Sequence, residues 1–286
     1  TAVCIPSEHY MVNIDNRLKQ IKQLVDENKY FTINRARQYG KTTTLRALYR
    51  YLKSEYYVVL MDFQTFGSLD FESEHTFAIA FANSFVRLFL RNDQALDNPV
   101  NPLSKLTTDS QNENFSLRIL FNDLNYICSV SDKPIVLMID EVDSAANNQV
   151  FLDFLSQLRA GYIDRDLEPT FKSVILAGVY DIKNLNHKLR NDDEHKYNSP
   201  WNIAADFNID MSFSREEIAG MLQEYEKDYH TCMNIRQMAE MIYDYTSGYP
   251  FLVSKLCKLI DEKVSRKNPF HSKKRAWTKD GLCEAV

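Results

Sequence analysis

Apolar residues recur along this chain with two different periods, and each change of period marks an element. Ile14, Leu18, Ile21 and Val25 fall on one face at helical spacing and predict a helix over residues 14–28. Residues 30–33 read Tyr-Phe-Thr-Ile, a short strand. Leu45, Leu48 and Leu52 then give a helix over 42–53 its apolar stripe. Further strands are expected at 56–63, 135–140, 173–179 and 207–211, and further helices at 76–91, 115–130 and 150–163. Residues 92–114 are rich in Asn, Asp, Gln, Ser and Pro and predict an exposed insertion, and residues 183–200 predict a polar loop. Beyond Ser214 the spacing is helical throughout. Strands alternating with helices predict a parallel sheet with right-handed crossovers, followed here by an all-helical piece.

Composition narrows the setting. The 286 residues suffice for one α/β domain and a smaller appendage, and 44% apolar content is ordinary for a globular chain. A net charge of −5 gives no support for non-specific nucleic-acid binding. Cys4, Cys128, Cys232, Cys257 and Cys283 lie far apart without a C-x-x-C pair, so zinc and redox motifs have no support. An odd cysteine count without a signal peptide fits a reducing cytoplasm. No apolar run approaches the roughly 18 residues of a membrane-spanning helix. The chain begins at Thr1 without methionine and stops at Val286 inside a stretch that reads as a helix capped by Thr278. An excised piece of a longer protein, with an effector region beyond it, is the expectation.

Two stretches carry the chemistry. Residues 33–45 read I-N-R-A-R-Q-Y-G-K-T-T-T-L, with Gly-Lys-Thr at a strand-to-helix junction, and residues 134–143 read P-I-V-L-M-I-D-E-V-D. A helix N-terminus offers unpaired N–H groups and partial positive charge to a phosphate chain. Gly40 admits close backbone approach, Lys41 is expected to reach the β- and γ-phosphates, and the Thr42 hydroxyl to ligate Mg²⁺. Arg37, Gln38 and Tyr39 occupy the loop apex as further nucleotide-binding positions, the last two through backbone N–H groups, and Thr43 is placed for the α-phosphate. Asp140 is expected to hold the metal, directly or through water, and Glu141 to polarise the attacking water. Glu141 and Lys41 are thus the candidate catalytic pair. An acid directly after the metal-binding Asp is the arrangement of P-loop ATPases with an extra strand between the two motif strands. The strict loop pattern has a glycine where Arg35 stands. A non-glycine residue there must avoid positive φ or accept strain. Arg35 and Arg37 either bind anions or point to solvent.

The segments C-I-P-S-E-H-Y-M-V-N-I, Y-F-T-I-N-R-A-R-Q-Y-G-K-T-T-T-L, V-L-M-I-D-E-V-D, S-V-I-L-A-G-V-Y-D-I and T-S-G-Y-P-F-L-V together resemble a bacterial AAA-ATPase-like family, one of the AAA+/STAND-type P-loop ATPases. The resemblance spans nearly the whole chain, and the family also replaces the first loop glycine, typically with N-R-[AP]-R. It implies an α/β fold: a P-loop NTPase parallel sheet flanked by helices, with a C-terminal all-helical lid. It divides the chain into an ATPase core at 1–213, a lid at 214–264, and a basic linker at 265–286 that begins a further region. It implies ATP or ADP and Mg²⁺ as ligands, ATP hydrolysis or an ATP-driven switch in a regulatory or defence protein, and a homo-oligomer or a downstream effector domain as partner. No membrane is implied. The alternative is a degenerate nucleotide-binding interaction module without turnover.

Other residues carry paired readings. Asp143 is expected as a helix N-cap, and Asp62 as a cap or a support for the site. The γ-phosphate sensor of the fourth strand is either Tyr180 or Asp181, or absent. Arg190 and Arg159 are either solvated or presented to a neighbouring subunit. Tyr10 or Met11 stacks on a base or packs on the core. Gly248-Tyr249-Pro250 ends one helix and starts the next, and in STAND-type lids such a turn lies beside the nucleotide. The basic run 263–279, with Phe270 and Trp277 interleaved, is a solvated linker or a contact surface.

Overall fold

Strands β1 (Phe31–Asn34), β2 (Tyr57–Asp62), β3 (Ile135–Asp140) and β4 (Ser173–Gly178) pair in parallel, in the order β1-β4-β3-β2. The computed structural model describes residues 7–90, 102–179 and 200–286. All six residues of β3 and of β4 are buried, as expected for central strands of a parallel sheet covered on both faces. The strand carrying the D-E-V-D run is therefore separated from β1 by the inserted strand β4, the arrangement expected from an acid directly after Asp140.

The chain divides into two units. One contains the described parts of residues 20–36 and 44–208, and the other those of residues 1–19, 37–43 and 209–286. Helices α1 (Asp15–Asp26) and α2 (Lys41–Leu52) each have residues in both. In the first unit, α3 (Glu74–Leu90) buries Phe77, Phe81, Phe85 and Phe89, one per turn. Phe154 of α6 (Gln149–Ile163) meets Phe81 at 5.0 Å, Phe77 at 5.4 Å and Phe121 of α5 (Leu117–Val130) at 5.5 Å between ring centres. These offset aromatic pairs form the heart of the sheet unit's core.

Two expectations change here. Within the presumed insertion, residues 102–109 form α4 (Pro102–Asp109), which buries Pro102, Leu103 and Leu106. Its Lys105 pairs with Asp123 of α5, whose carboxyl burial holds above the usual carboxylate range. Polar composition hid a helix whose apolar residues are few but on one face. The expected strand at 207–211 is also absent. Ala205 makes a single parallel bridge to Phe31, its N–H donating to the Tyr30 carbonyl at 2.8 Å. Beyond it, the carbonyls of Asp210 and Ser212 accept from the Arg17 guanidinium at 2.9 and 3.0 Å, so a side chain takes the place of a strand ladder.

The second unit is helical. It contains α7 (Arg215–Tyr229), α8 (Ile235–Thr246), α9 (Pro250–Glu262), α10 (Lys273–Ala276) and α11 (Lys279–Ala285). A reciprocal Ser214–Glu217 capping box starts α7. The basic run folds back into this unit. Val264, Trp277 and Leu282 are buried with Ile218, Tyr225 and Ile260, and the Trp277 indole N–H donates to the Tyr225 hydroxyl at 3.0 Å. Lys273 pairs with Asp261 at 2.9 Å, and Lys267 with Glu284 at 2.7 Å. No described helix is long and apolar enough to cross a membrane.

Candidate functional site

The loop that joins β1 to α2 begins as an extension of the sheet. The Arg35 N–H donates to the Gly178 carbonyl at 3.2 Å. Arg35 stays out of the left-handed region, so the missing glycine brings no backbone strain at that position. Its guanidinium donates to the Asn34 carbonyl at 2.9 Å and lies 5.6 Å from the Phe207 ring centre. This cation packs against an aromatic face, a contact that neither of its two readings included.

The apex then takes two left-handed residues, Gln38 at φ 63° and Gly40 at φ 78°. At Gly40 an added Cβ would meet nothing within 4 Å, so glycine serves conformation there and not space. Gln38 lacks that freedom and holds strain of about 1–3 kcal/mol, a cost that accumulates at functional loops. Lys41 is the first residue of α2 and is only 6% exposed. Thr42 and Thr43 are half-buried, and Thr44 is buried.

The carboxylates leave β3 at the sheet edge where the loop leaves β1, because the two strands run parallel. Asp140 is buried, and its Oδ1 accepts the Glu141 N–H at 2.9 Å. Glu141 is itself left-handed, at φ 52° and ψ 40°, and heads a 3-10 turn, Val142–Ser144. Among the described residues Asp143 caps no α-helix, the helix that follows starting from Asn148. Its Oδ2 accepts the Val179 N–H at 2.5 Å and straps the end of β3 to the end of β4. The strap explains Gly178, where a Cβ would come within 2.9 Å of Val142 Cγ2 and 3.0 Å of Asp143 Oδ1. Neither the strap nor this close approach was read from the sequence. A glycine directly ending a buried strand was the available signal. Asp62 pairs in register with Asp140 and caps a 3-10 turn, accepting the Gln64 N–H at 2.9 Å.

Tyr180, Asp181 and Arg190 lie outside the described residues. The Arg159 guanidinium donates to Asn202 at 3.1 Å. Tyr10 packs edge-on against Tyr225 at 5.3 Å, and its hydroxyl donates to Asp228. Packing is thus the role the structure gives Tyr10. Desolvation pushes the thiols of Cys128 and Cys257 up to about 12, which leaves them protonated and unreactive at neutral pH.

A parallel sheet with a strand inserted between a glycine-lysine-threonine loop and a buried aspartate strand, continued by a helical C-terminal region, defines a P-loop ATPase fold of the AAA+ kind. The AAA-like domain family matches residues 2–275, and the chain belongs to it. No curated protein matches the sequence. Among solved structures the fold is similar to that of the Aeropyrum pernix ORC1 protein in complex with DNA (11% identity, TM-score 0.51, 96% of this chain and 65% of that one). It is likewise similar to the Aeropyrum pernix ORC2 protein in ADPNP–ADP complexes (11% identity, TM-score 0.51, 96% and 67%). Cdc6p from Pyrobaculum aerophilum aligns at 14% identity and a TM-score of 0.47, over 91% of this chain and 63% of that one. The chain thus spans less than two thirds of the Cdc6p and ORC1 chains. At these identities the likeness is one of fold.

Proposed function

We propose that this protein binds ATP with Mg²⁺ and hydrolyses it, working as an ATP-driven switch. The observation that carries this reading is the loop, in which two left-handed residues lead into a buried lysine at the head of α2. Left-handed turns gather successive N–H groups into one concavity, the helix end adds partial positive charge, and Lys41 adds a full one. A phosphate chain is the ligand that matches such a donor set. Arg37, Gln38, Tyr39, Gly40, Lys41 and Thr43 would hold it. Thr42 and Asp140, a hydroxyl and a buried carboxylate, are oxygen donors of the type Mg²⁺ takes. The ion, when bound, neutralises charge on the phosphate oxygens. Glu141 would orient the attacking water and accept its proton. The likeness of fold to an ORC2 protein holding ADPNP and ADP supports the same reading.

A second reading, nucleotide binding without turnover, is favoured by one feature. Strand β4 itself ends Leu176-Ala177-Gly178, without an Asn, Ser or Thr of its own to sense a γ-phosphate. The setting proposed with either reading is cytoplasmic, in a regulatory or defence protein. A second copy of the chain or an effector domain would receive the signal.

Nucleotide released from the purified protein is expected to be ATP or ADP. Asp140→Ala should reduce Mg²⁺-dependent binding and turnover. Asp143→Ala should instead lower stability by about 1–3 kcal/mol, because the Val179 N–H loses its charged acceptor. Metal-dependent calorimetry together with thermal melts separates the two. Equal loss of turnover from both variants, with the fold intact, would remove the assignment of Asp143 as a strap.

A further inference from the structure

The helical unit contains residues 37–43, so the apex of the phosphate loop is built into it. An aromatic clasp makes the connection. The Tyr249 hydroxyl donates to the Arg37 carbonyl, and the Tyr249 ring packs on Tyr39 with centres 4.7 Å apart and planes at 38°. The Tyr39 hydroxyl in turn pairs with Ser212 Oγ at 3.2 Å.

Each partner in the clasp is itself fixed. Tyr249 follows two left-handed residues, Ser247 at φ 49° and Gly248 at φ 72°. The Gly248 carbonyl accepts the Phe213 N–H at 2.8 Å. A Cβ on Gly248 would come within 2.1 Å of the Phe213 carbonyl oxygen, so only glycine allows this approach. The segment carrying Ser212 is thereby pinned beside the turn carrying Tyr249. From the other side the Arg17 guanidinium holds the Asp210 and Ser212 carbonyls. Burial lowers the Arg17 pKa, although Glu217 at 3.4 Å opposes that shift. A buried cation with three anchoring acceptors is a rigid mount.

The residue immediately after the Tyr249 contact is Gln38, the strained one. Strain at a non-glycine residue persists only where its surroundings over-determine the backbone. The clasp supplies that determination on the Arg37 side.

We propose that Tyr249 is a positioning residue for the phosphate loop. It holds the Arg37–Gln38 peptide so that the apex N–H groups are set before nucleotide arrives, and it makes the apex move with the turn between α8 and α9. The proposal rests on the nucleotide reading given above and adds to it a route for the signal. A ligand that reshapes the apex must shift the Tyr249 turn, and a partner that shifts the turn must change affinity at the apex, because such coupling is reciprocal.

The test uses Tyr249→Phe, which keeps the ring contact and removes one hydroxyl. Three measurements are made on the whole chain: amide hydrogen exchange at residues 37–41 without nucleotide, the thermal midpoint, and ATP affinity by calorimetry. Exchange at those amides is expected to quicken about two- to tenfold, and ATP affinity to fall by a similar factor, as for loss of one net hydrogen bond. The midpoint should fall by about 1–4 °C, the shift one net hydrogen bond gives a chain of this length, so affinity and not stability separates a positioning role from a merely structural one. Tyr39→Phe should act in the same direction, and the double variant should fall short of the product of the two effects, since both act on one loop. Unchanged exchange at 37–41 overturns the clasp. Faster exchange with unchanged affinity overturns its positioning role. Faster exchange in a protein that binds no nucleotide leaves the clasp standing and removes the nucleotide reading instead.

Discussion

Glu141→Gln is expected to bind ATP as the parent does and to lose turnover by about 10²-fold or more, the usual scale for removing a general base. The substitution keeps side-chain length and one acceptor oxygen while deleting the charge. The structure makes it a clean experiment. Glu141 sits in the left-handed region at φ 52°, a cost shared by any non-glycine side chain, so Gln inherits the strain without adding to it. The Glu141 N–H bond to Asp140 belongs to the backbone and survives the change. Single-turnover measurement of phosphate release checks the rate, and calorimetry checks the binding. Parent turnover that persists unaltered in the variant would remove the catalytic role. ATP bound without turnover in the parent would favour the passive nucleotide-binding module.

The second large effect is at Lys41. Lys41→Ala should weaken ATP affinity by roughly tenfold to a hundredfold, the range for losing one charge-assisted contact of about 1.5–3 kcal/mol. Lys41 is 6% exposed at the head of α2, so its stem contributes packing as well as its charge contributing attraction. Lys41→Met retains most of the stem, and it should match the alanine variant in affinity while melting closer to the parent. Equal affinity in parent and both variants would dismiss the loop as a phosphate site.

The sheet was legible because its strands are buried on both faces and read as short apolar runs. The run at 135–140 coincides with β3. The absent fifth strand shows the limit of that signal. Phe207, Ile209 and Met211 alternate with polar residues as a strand does, but the partner that satisfies the Asp210 and Ser212 carbonyls is Arg17, some 190 positions away, and no local pattern announces it. The site divides in the same way. Lys41, Asp140 and Glu141 could be proposed from the sequence because phosphate and metal chemistry fixes residue types at short spacing. The contact of Tyr249 with Arg37 spans 212 positions and joins a hydroxyl to a backbone carbonyl, which constrains nothing about the residue at 37. Asp143 was read as a cap because a carboxylate after a strand so often caps a helix. Its acceptor role toward Val179 depends on strand order, which only the assembled sheet supplies.

The burial of Trp277 has a practical side. Residues 264–282 put Val264, Trp277 and Leu282 against Tyr225 and Ile260. Burying an indole removes about 150–250 Å² from water, worth roughly 4–6 kcal/mol. A fragment cut after Val264, where spacing alone would end the lid, leaves that face of α7 and α9 open to other molecules. It is expected to precipitate on purification or to be digested in the cell, while a fragment retaining Leu282 stays dispersed. Light scattering of the two fragments decides the matter. The boundary for producing this helical unit therefore belongs on the far side of Leu282.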